Sequence, residues 1–368
     1  MNILVTGSGG FIGKNLIERL SRIENINVIK FDQTIFLEDL SDKIKEVNFI
    51  FHLAGVNRPK DNNDFYIGNS SLTQQLIKLI EKHNLSIPIL FSSSSQAELN
   101  NDYGKSKLKA EKYLKEYSER NNTPIFIYRL PGVFGKWSKP NYNSVISTWC
   151  YSIANELDII INDENVCLDL VYIDDVIENF ISKINDVVSN DSCNIDMVYN
   201  KSLGDIAKLL YAFRASRKSL VMPNVGSGFE RALYATYLSY LPIDKFSYEL
   251  KGYSDERGTF YEILKTFDSG QFSISTTKPG NIIRGNHYHN TKNEKFLVVK
   301  GEAVIELRNI NSQEIIEYSV SDKKMEIVEM IPGYTHNIKN VSDEEMILII
   351  WANEVYDENK PDTYFLKV

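Results

Sequence analysis

The feature that most restricts the fold of this chain is a change of texture near residue 244. Before it, short β-branched runs alternate with amphipathic runs. Strand candidates at 3–5, 28–31, 49–52, 87–92 and 125–129 are separated by helix candidates at 12–21, 65–83 and 103–121. A further strand at 167–171 and helices at 174–184 and 203–215 continue the pattern. Strand–helix alternation predicts an α/β, Rossmann-type doubly wound parallel sheet. After 244 only strand-like pieces follow, at 260–265, 271–277, 294–300, 303–309, 314–320, 324–330 and 346–351, with turn signals between them. That pattern predicts an antiparallel all-β sandwich or barrel. A chain of 368 residues also exceeds one ordinary core. The expected domains are therefore 1–243 and 244–368.

Composition removes several classes. A formal net charge of -8 leaves no basic surplus for nucleic acid. No apolar run approaches the roughly 20 residues that span a bilayer. The N-terminus opens directly on a strand-like segment, so no signal peptide is expected. The 3 cysteines are widely spaced and form no CxxC, which suits idle thiols in a reducing cytoplasm.

Gly7-x-x-Gly10-Phe11-Ile12-Gly13 follows a strand and opens a helix. In that context the glycines permit a tight turn and close approach of backbone to a pyrophosphate at the helix N-terminus. Asp32, ending the second strand, can accept hydrogen bonds from the adenosine ribose and repel a 2′-phosphate, which favours NADH. Lys14 and Lys30 are counterweights, and a plain turn cap is the alternative role for Asp32. Downstream, Ser92–Ser95 closes a strand, and Tyr103-Gly-Lys-Ser-Lys107 starts a helix. Tyrosine and lysine four apart share a helix face. A lysine cation lowers the phenol pKa, so the tyrosine can pass the proton that accompanies hydride transfer at a carbinol carbon. A solvated helix is the plain alternative, and the serine cluster argues against it.

Taken together, these motifs resemble the extended short-chain dehydrogenase/reductases over roughly residues 1–240. Phe51-His52-Leu53-Ala54-Gly55 is similar to the family's third-strand motif, which implies Leu53 and Ala54 at the cofactor. Asn69 resembles the family's helix asparagine. Ser94, Tyr103 and Lys107 resemble its catalytic residues, with Ser93 an alternative to Ser94. Tyr128-Arg129-Leu-Pro-Gly-Val-Phe-Gly135 and Tyr172-Ile-Asp-Asp175 are similar to its nucleotide-sugar motifs, which implies Arg129 at the substrate.

Three of the 5 histidines fall late in the chain, in His287-x-His289-x4-Glu294-x6-Gly301 and Pro332-Gly333-x2-His336-x3-Asn340. Two histidines two apart on a strand share a face. Three imidazoles and a carboxylate suit Zn, Mn, Fe or Ni. The pattern resembles both motifs of the cupin superfamily. A divalent metal, zinc first, is expected; a metal-free cupin is the alternative. The strings around Asp255–Phe260 and Ile283–Tyr288, with Arg284 inside the second, resemble cupin-type epimerases of 4-keto-6-deoxysugars, whose general base matches His287. A metal on His287 would leave that base open, with Tyr288 and Tyr334 as candidates.

Over its whole length the sequence is similar to bacterial bifunctional nucleotide-sugar 3-epimerase/4-reductases of capsular-polysaccharide synthesis. The similarity includes His52-Leu-Ala-Gly-Val-Asn57-Arg58-Pro59, Phe134–Trp137, Lys139–Val145 and Asn286–Val299. It implies C3 epimerisation of a UDP-4-keto-6-deoxy-N-acetylhexosamine in the cupin, then C4 reduction by NADPH or NADH. The family is associated with NADPH, against which Asp32 speaks. Asn57, Arg58 and Lys139 are expected at the substrate, the two cations at its diphosphate or else as plain surface charges. A homodimer is expected from edge-strand pairing. The rival readings are a 4-ketoreductase whose cupin only builds the dimer, and a non-catalytic sensor of dinucleotide and sugar.

Overall fold

The computed structural model describes residues 1–32, 37–59, 61–186, 188 and 190–368. The chain divides into two compact units, Met1–Leu210 with Ser227–Pro242, and Tyr211–Gly226 with Ile243–Val368.

In the first unit six described strands form one sheet, ordered Asn27–Phe31, Asn2–Thr6, Phe49–His52, Ile89–Ser94, Ile125–Leu130, Asn190–Cys193. Every pairing in it is parallel. The middle strands are buried from end to end, which explains their continuous apolar runs. Leu4, Ile50, Ile89 and Ile127 pack with Leu76, Ile80, Leu114 and Tyr117 from helices that return the chain. The expected helix at 65–83 is present but interrupted: Tyr66–Ser71 is a π-helical segment before Leu72–Lys82. Such widened turns cluster at functional sites, and this one carries Asn69.

Two helices carried no usable signal. Val145–Ala154 is buried on most sides, so its apolar residues show no stripe, and Gly228–Leu238 begins on a glycine at φ +62. The fourth strand also runs later than expected, Ile89–Ser94, because Pro88 precedes it and cannot donate to a ladder.

The second unit is antiparallel. One sheet runs Gly252–Asp255, Gly258–Thr266, Gly270–Thr277, Met346–Ala352, Glu294–Lys300, Ile327–Met330. The other runs Ile315–Ser321, Glu302–Asn309, Tyr334–Asn340, Ile283–Tyr288, Tyr364–Phe365. Phe296, Val298 and Leu348 from the first sheet pack with Ala303, Ile305 and Ile338 from the second. Alternation along each strand sends these side chains inward. Among the described residues no helix is long and apolar enough to cross a membrane.

Candidate active sites

The glycine loop is shaped by steric necessity. Gly7 has φ +68, and a Cβ there would lie 2.8 Å from the Ala54 nitrogen. A methyl at Gly13 would run into the Gly7 carbonyl. The turn is closed by Gly10 N–H on the Gly7 carbonyl at 2.9 Å, and the helix Phe11–Leu20 begins there. Thr6 Oγ1 accepts from the Leu53 and Ala54 N–H groups, both at 3.1 Å. It also bonds His52, whose other nitrogen meets Thr73 at 2.8 Å. Burial drives the His52 pKa down to about 3, so this ring is a neutral strut. Ser8, Lys14, Ile17, Glu18, Lys30 and Trp137 line an open cavity of about 550 Å³. A Cβ on Gly9 would stand 3.7 Å from Asp32 Oδ2. The loop, the helix start and the cavity fit a dinucleotide: the backbone is bare where a pyrophosphate must approach, and polar groups lie where a ribose would sit.

Lys107 and Tyr103 stand on the helix Asp102–Asn121, whose start is set by Asn101: its side chain accepts from Gly104 N–H at 2.7 Å. Tyr103 is hydrogen-bonded to Ser94; burial raises its pKa, partly offset by that bond. The adjacent Ser93 points elsewhere, donating to Glu111 at 2.5 Å. Of the two serines expected as alternatives, Ser94 therefore stands with the tyrosine. Lys107 is buried and donates to the Ser92 carbonyl at 2.9 Å. Burial lowers its pKa to about 8, against a pull upward from Glu111. Gly55 makes room beside it, because a Cβ there would lie 3.0 Å from Lys107 Nζ and 2.8 Å from Asn69 Oδ1. Asn69 is buried, donating to Ser106 at 2.9 Å and accepting from Val56 N–H at 2.9 Å.

Arg129 is expected at the substrate. It pairs with the buried Glu111 at 2.7 Å and with Glu98 at 2.7 Å. The register explains this: Ser93 lies opposite Arg129 on adjacent parallel strands, so both reach Glu111. Arg58 and Lys139 converge on one ring, 6.0 and 5.4 Å from the centroid of Tyr142. The Asn57 side-chain oxygen is buried with no partner. Glu111 was not singled out from the sequence, yet its signal was there: Tyr103, Lys107 and Glu111 recur every four residues along one helix face.

Two predictions follow from Lys107. Its cation is lost as pH rises through about 8, while Tyr103, with its raised pKa, still carries a proton there. Any reduction that uses this pair should therefore show kcat/KM falling above about pH 8, measured as a pH–rate profile. Glu111→Gln removes the charge that holds the lysine pKa up, so the falling limb should move to lower pH.

In the second unit, donor atoms of His287, His289 and Glu294 all lie within 4.8 Å of one another. A bulge between Gly285 and His287, with Gly285 at φ +100 and Asn286 at φ +62, brings His287 opposite His336. Their ring centroids are 4.4 Å apart, and His336 Nε2 is 3.9 Å from Glu294. His336 thus adjoins the three-residue set. Burial, then His287, lowers the His336 pKa to about 3, and burial also lowers His287. Burial alone would raise Glu294, but His289, His336 and His287 together hold it below its ordinary value. At neutral pH Glu294 is therefore a carboxylate, and His287 and His336 are neutral imidazoles, the forms that ligate metal. His289 Nε2 is buried, 3.7 Å from Glu294 and without a hydrogen bond. That orphan nitrogen fits a cation between the rings. Arg284, expected at the substrate, bonds Thr277 Oγ1 at 3.1 Å and the Thr276 carbonyl at 3.0 Å. Tyr288 stacks on Tyr364 at 5.3 Å.

Residues 3–196 match the NAD dependent epimerase/dehydratase family, and 253–364 match the polysaccharide biosynthesis C-terminal domain. The chain is 48% identical over 369 residues to a Pseudomonas aeruginosa protein, UDP-2-acetamido-2,6-beta-L-arabino-hexul-4-ose reductase, covering 100% of this chain and 99% of that one. The crystal structure of the capsular polysaccharide assembling protein CapF from Staphylococcus aureus superposes with a TM-score of 0.93 at 46% identity, covering 100% of both chains. UDP-glucuronic acid 4-epimerase from Bacillus cereus, with NAD, covers 65% of this chain and 98% of its own at 20% identity and TM-score 0.56, a likeness of fold.

Proposed function

The chain belongs to the NAD dependent epimerase/dehydratase family, and from that membership we propose that it is a bifunctional nucleotide-sugar enzyme. In this reading the region 244–368 inverts C3 of a UDP-4-keto-6-deoxy-N-acetylhexosamine, and 1–243 reduces the C4 ketone. The product is of the UDP-2-acetamido-2,6-dideoxy-L-talose type, destined for a capsular or O-antigen polysaccharide. The observation that carries the reading is the coexistence in one chain of a Ser94–Tyr103–Lys107 set and a His287–His289–Glu294 donor cluster.

In the reductase, a bound dihydronicotinamide supplies hydride to C4. Ser94 donates a hydrogen bond to the ketone oxygen, Tyr103 gives it a proton, and Lys107 stabilises the phenolate that remains. Glu111, held by Arg129 and Ser93, acts on Lys107 through its charge, which pulls the lysine pKa up. Arg58 and Lys139, gathered at Tyr142, are assigned to the diphosphate. Asp32 favours an unphosphorylated ribose, whereas Lys14 and Lys30 favour a 2′-phosphate, so Asp32→Ala should raise the ratio of kcat/KM for NADPH over NADH.

In the epimerase, the C3 proton is acidic because its carbanion is an enolate of the C4 ketone. A divalent ion, zinc first, held by His287, His289, Glu294 and His336 would supply Lewis-acid stabilisation of that enolate oxygen. With His287 as a ligand, a different group must move the proton. Tyr334 lies two residues before His336 on one strand and so shares its face. Tyr288, between two ligands, faces the other way against Tyr364. We therefore assign the proton transfer to Tyr334. Incubating the keto sugar with enzyme and reduced nicotinamide tests the whole reading: one dinucleotide oxidised per sugar, with inverted C3 in the product, is expected, and reduction without inversion would leave a plain 4-ketoreductase.

The edge strand Ile315–Ser321 exposes Ile315, Ile316 and Tyr318. Such an edge invites pairing, so a homodimer is expected, and sedimentation equilibrium reads it.

A further inference from the structure

The last residues of the chain form a strap over the segment that carries two of the histidines. Tyr364 and Phe365 pair with Tyr288 and His287. Leu366 N–H bonds the Asn286 carbonyl at 3.0 Å, and Arg308 holds the Lys367 carbonyl at 2.6 Å. The strap is anchored most heavily at Asp362. Its carboxylate accepts from the backbone N–H groups of Asn290 at 3.0 Å, Thr291 at 2.7 Å and Lys292 at 2.9 Å, and from the Thr291 hydroxyl at 2.9 Å. Its backbone carbonyl accepts from His289 Nδ1.

The two halves of Asp362 thus act on one histidine. The carboxylate fixes the path of the loop directly after His289. The carbonyl accepts a hydrogen bond from the ring's Nδ1–H, which leaves the lone pair on Nε2, the buried nitrogen that faces Glu294 without a hydrogen-bond partner. A histidine whose one nitrogen is held by an oxygen presents the other to a metal in a fixed tautomer and orientation. We propose that Asp362 is a positioning residue for the metal centre: through the C-terminal strap it sets His289 as an Nε2 ligand and so sets the affinity of the site. This rests on the reading of His287, His289 and Glu294 as a metal centre. Asp362 itself touches neither metal nor substrate. It also makes the metal affinity of this chain a property of its final residues, which lie far in sequence from the histidine motif.

The test uses the full chain, with Asp362→Ala, Asp362→Asn and Arg308→Ala. Co(II) and Zn(II) affinity is read by chelator competition, and the tautomer of His289 by nitrogen-15 NMR of the metal-free protein. Asp362→Ala keeps the backbone carbonyl but frees the loop and strap that hold it against His289; displacing such an outer partner typically weakens metal binding about 10- to 100-fold, which is the result expected. Asp362→Asn, keeping the size and one acceptor oxygen, should fall between Asp362→Ala and the parent and guards against a variant that does not fold. Arg308→Ala loosens the strap end without touching the His289 loop and should stay within about threefold of the parent. Metal-free parent protein should show His289 protonated on Nδ1. Affinities of both Asp362 variants within threefold of the parent would overturn the proposal. So would an Nε2-protonated His289, or an Arg308→Ala loss as large as that of Asp362→Ala. Failure of the metal reading itself looks different, since the parent and all variants would then bind no ion.

Discussion

Replacing Tyr103 with Phe should lower kcat for C4 reduction by about 100- to 10,000-fold, the usual worth of a positioned proton donor. The phenylalanine keeps the ring that packs 5.7 Å from Phe65, so folding and dinucleotide affinity should be preserved. The loss falls on kcat because the proton moves only in the transition state. Exchange of the C3 proton should continue at the parent rate, since that chemistry is assigned to the other compact unit. Single-turnover reduction, followed by dinucleotide absorbance, checks the first expectation, and NMR checks the second.

The complementary experiment is Glu294→Gln. The amide has nearly the volume of the carboxylate but lacks the charge that the three neighbouring imidazoles hold in place. Metal should be lost, and with it Lewis-acid stabilisation worth several kcal/mol, so C3 exchange should fall by about 100-fold or more. Reduction of a substrate already inverted at C3 should survive. A mixture of Tyr103→Phe and Glu294→Gln proteins should restore the full conversion, because the two steps share only a diffusible nucleotide sugar. A rise in the metal content of Glu294→Gln, or unchanged exchange, would remove the carboxylate from the centre.

Much of this arrangement could be read from the residues in order. Strand–helix alternation carried the parallel sheet, and the fourfold spacing of Tyr103 and Lys107 carried the reductase set, because both depend on local periodicity. Adjacent identical residues defeat that reasoning. Ser93 and Ser94 look alike in sequence and part only in space, where Glu111 takes one and Tyr103 the other. Arg129 sits in a motif that points to substrate, and its ion pairs with Glu111 and Glu98 arise from strand register, which no local pattern encodes. The C-terminal strap was hidden for a related reason. A strand of two residues, Tyr364–Phe365, has no period to detect, and Asp362 reaches a loop some seventy positions earlier in the chain. The histidines themselves were conspicuous, because ligand-type residues at fixed spacing are rare by chance.

On this account residues 244–368 deprotonate C3 of a 4-keto nucleotide sugar. Proton NMR of a UDP-4-keto-6-deoxy-N-acetylhexosamine with the protein in D₂O, with no nicotinamide present, tests it most directly. Enzyme-dependent loss of the C3 proton signal, abolished in Glu294→Gln and kept in Tyr103→Phe, is the predicted result. A C3 signal that persists with metal-loaded protein would contradict it.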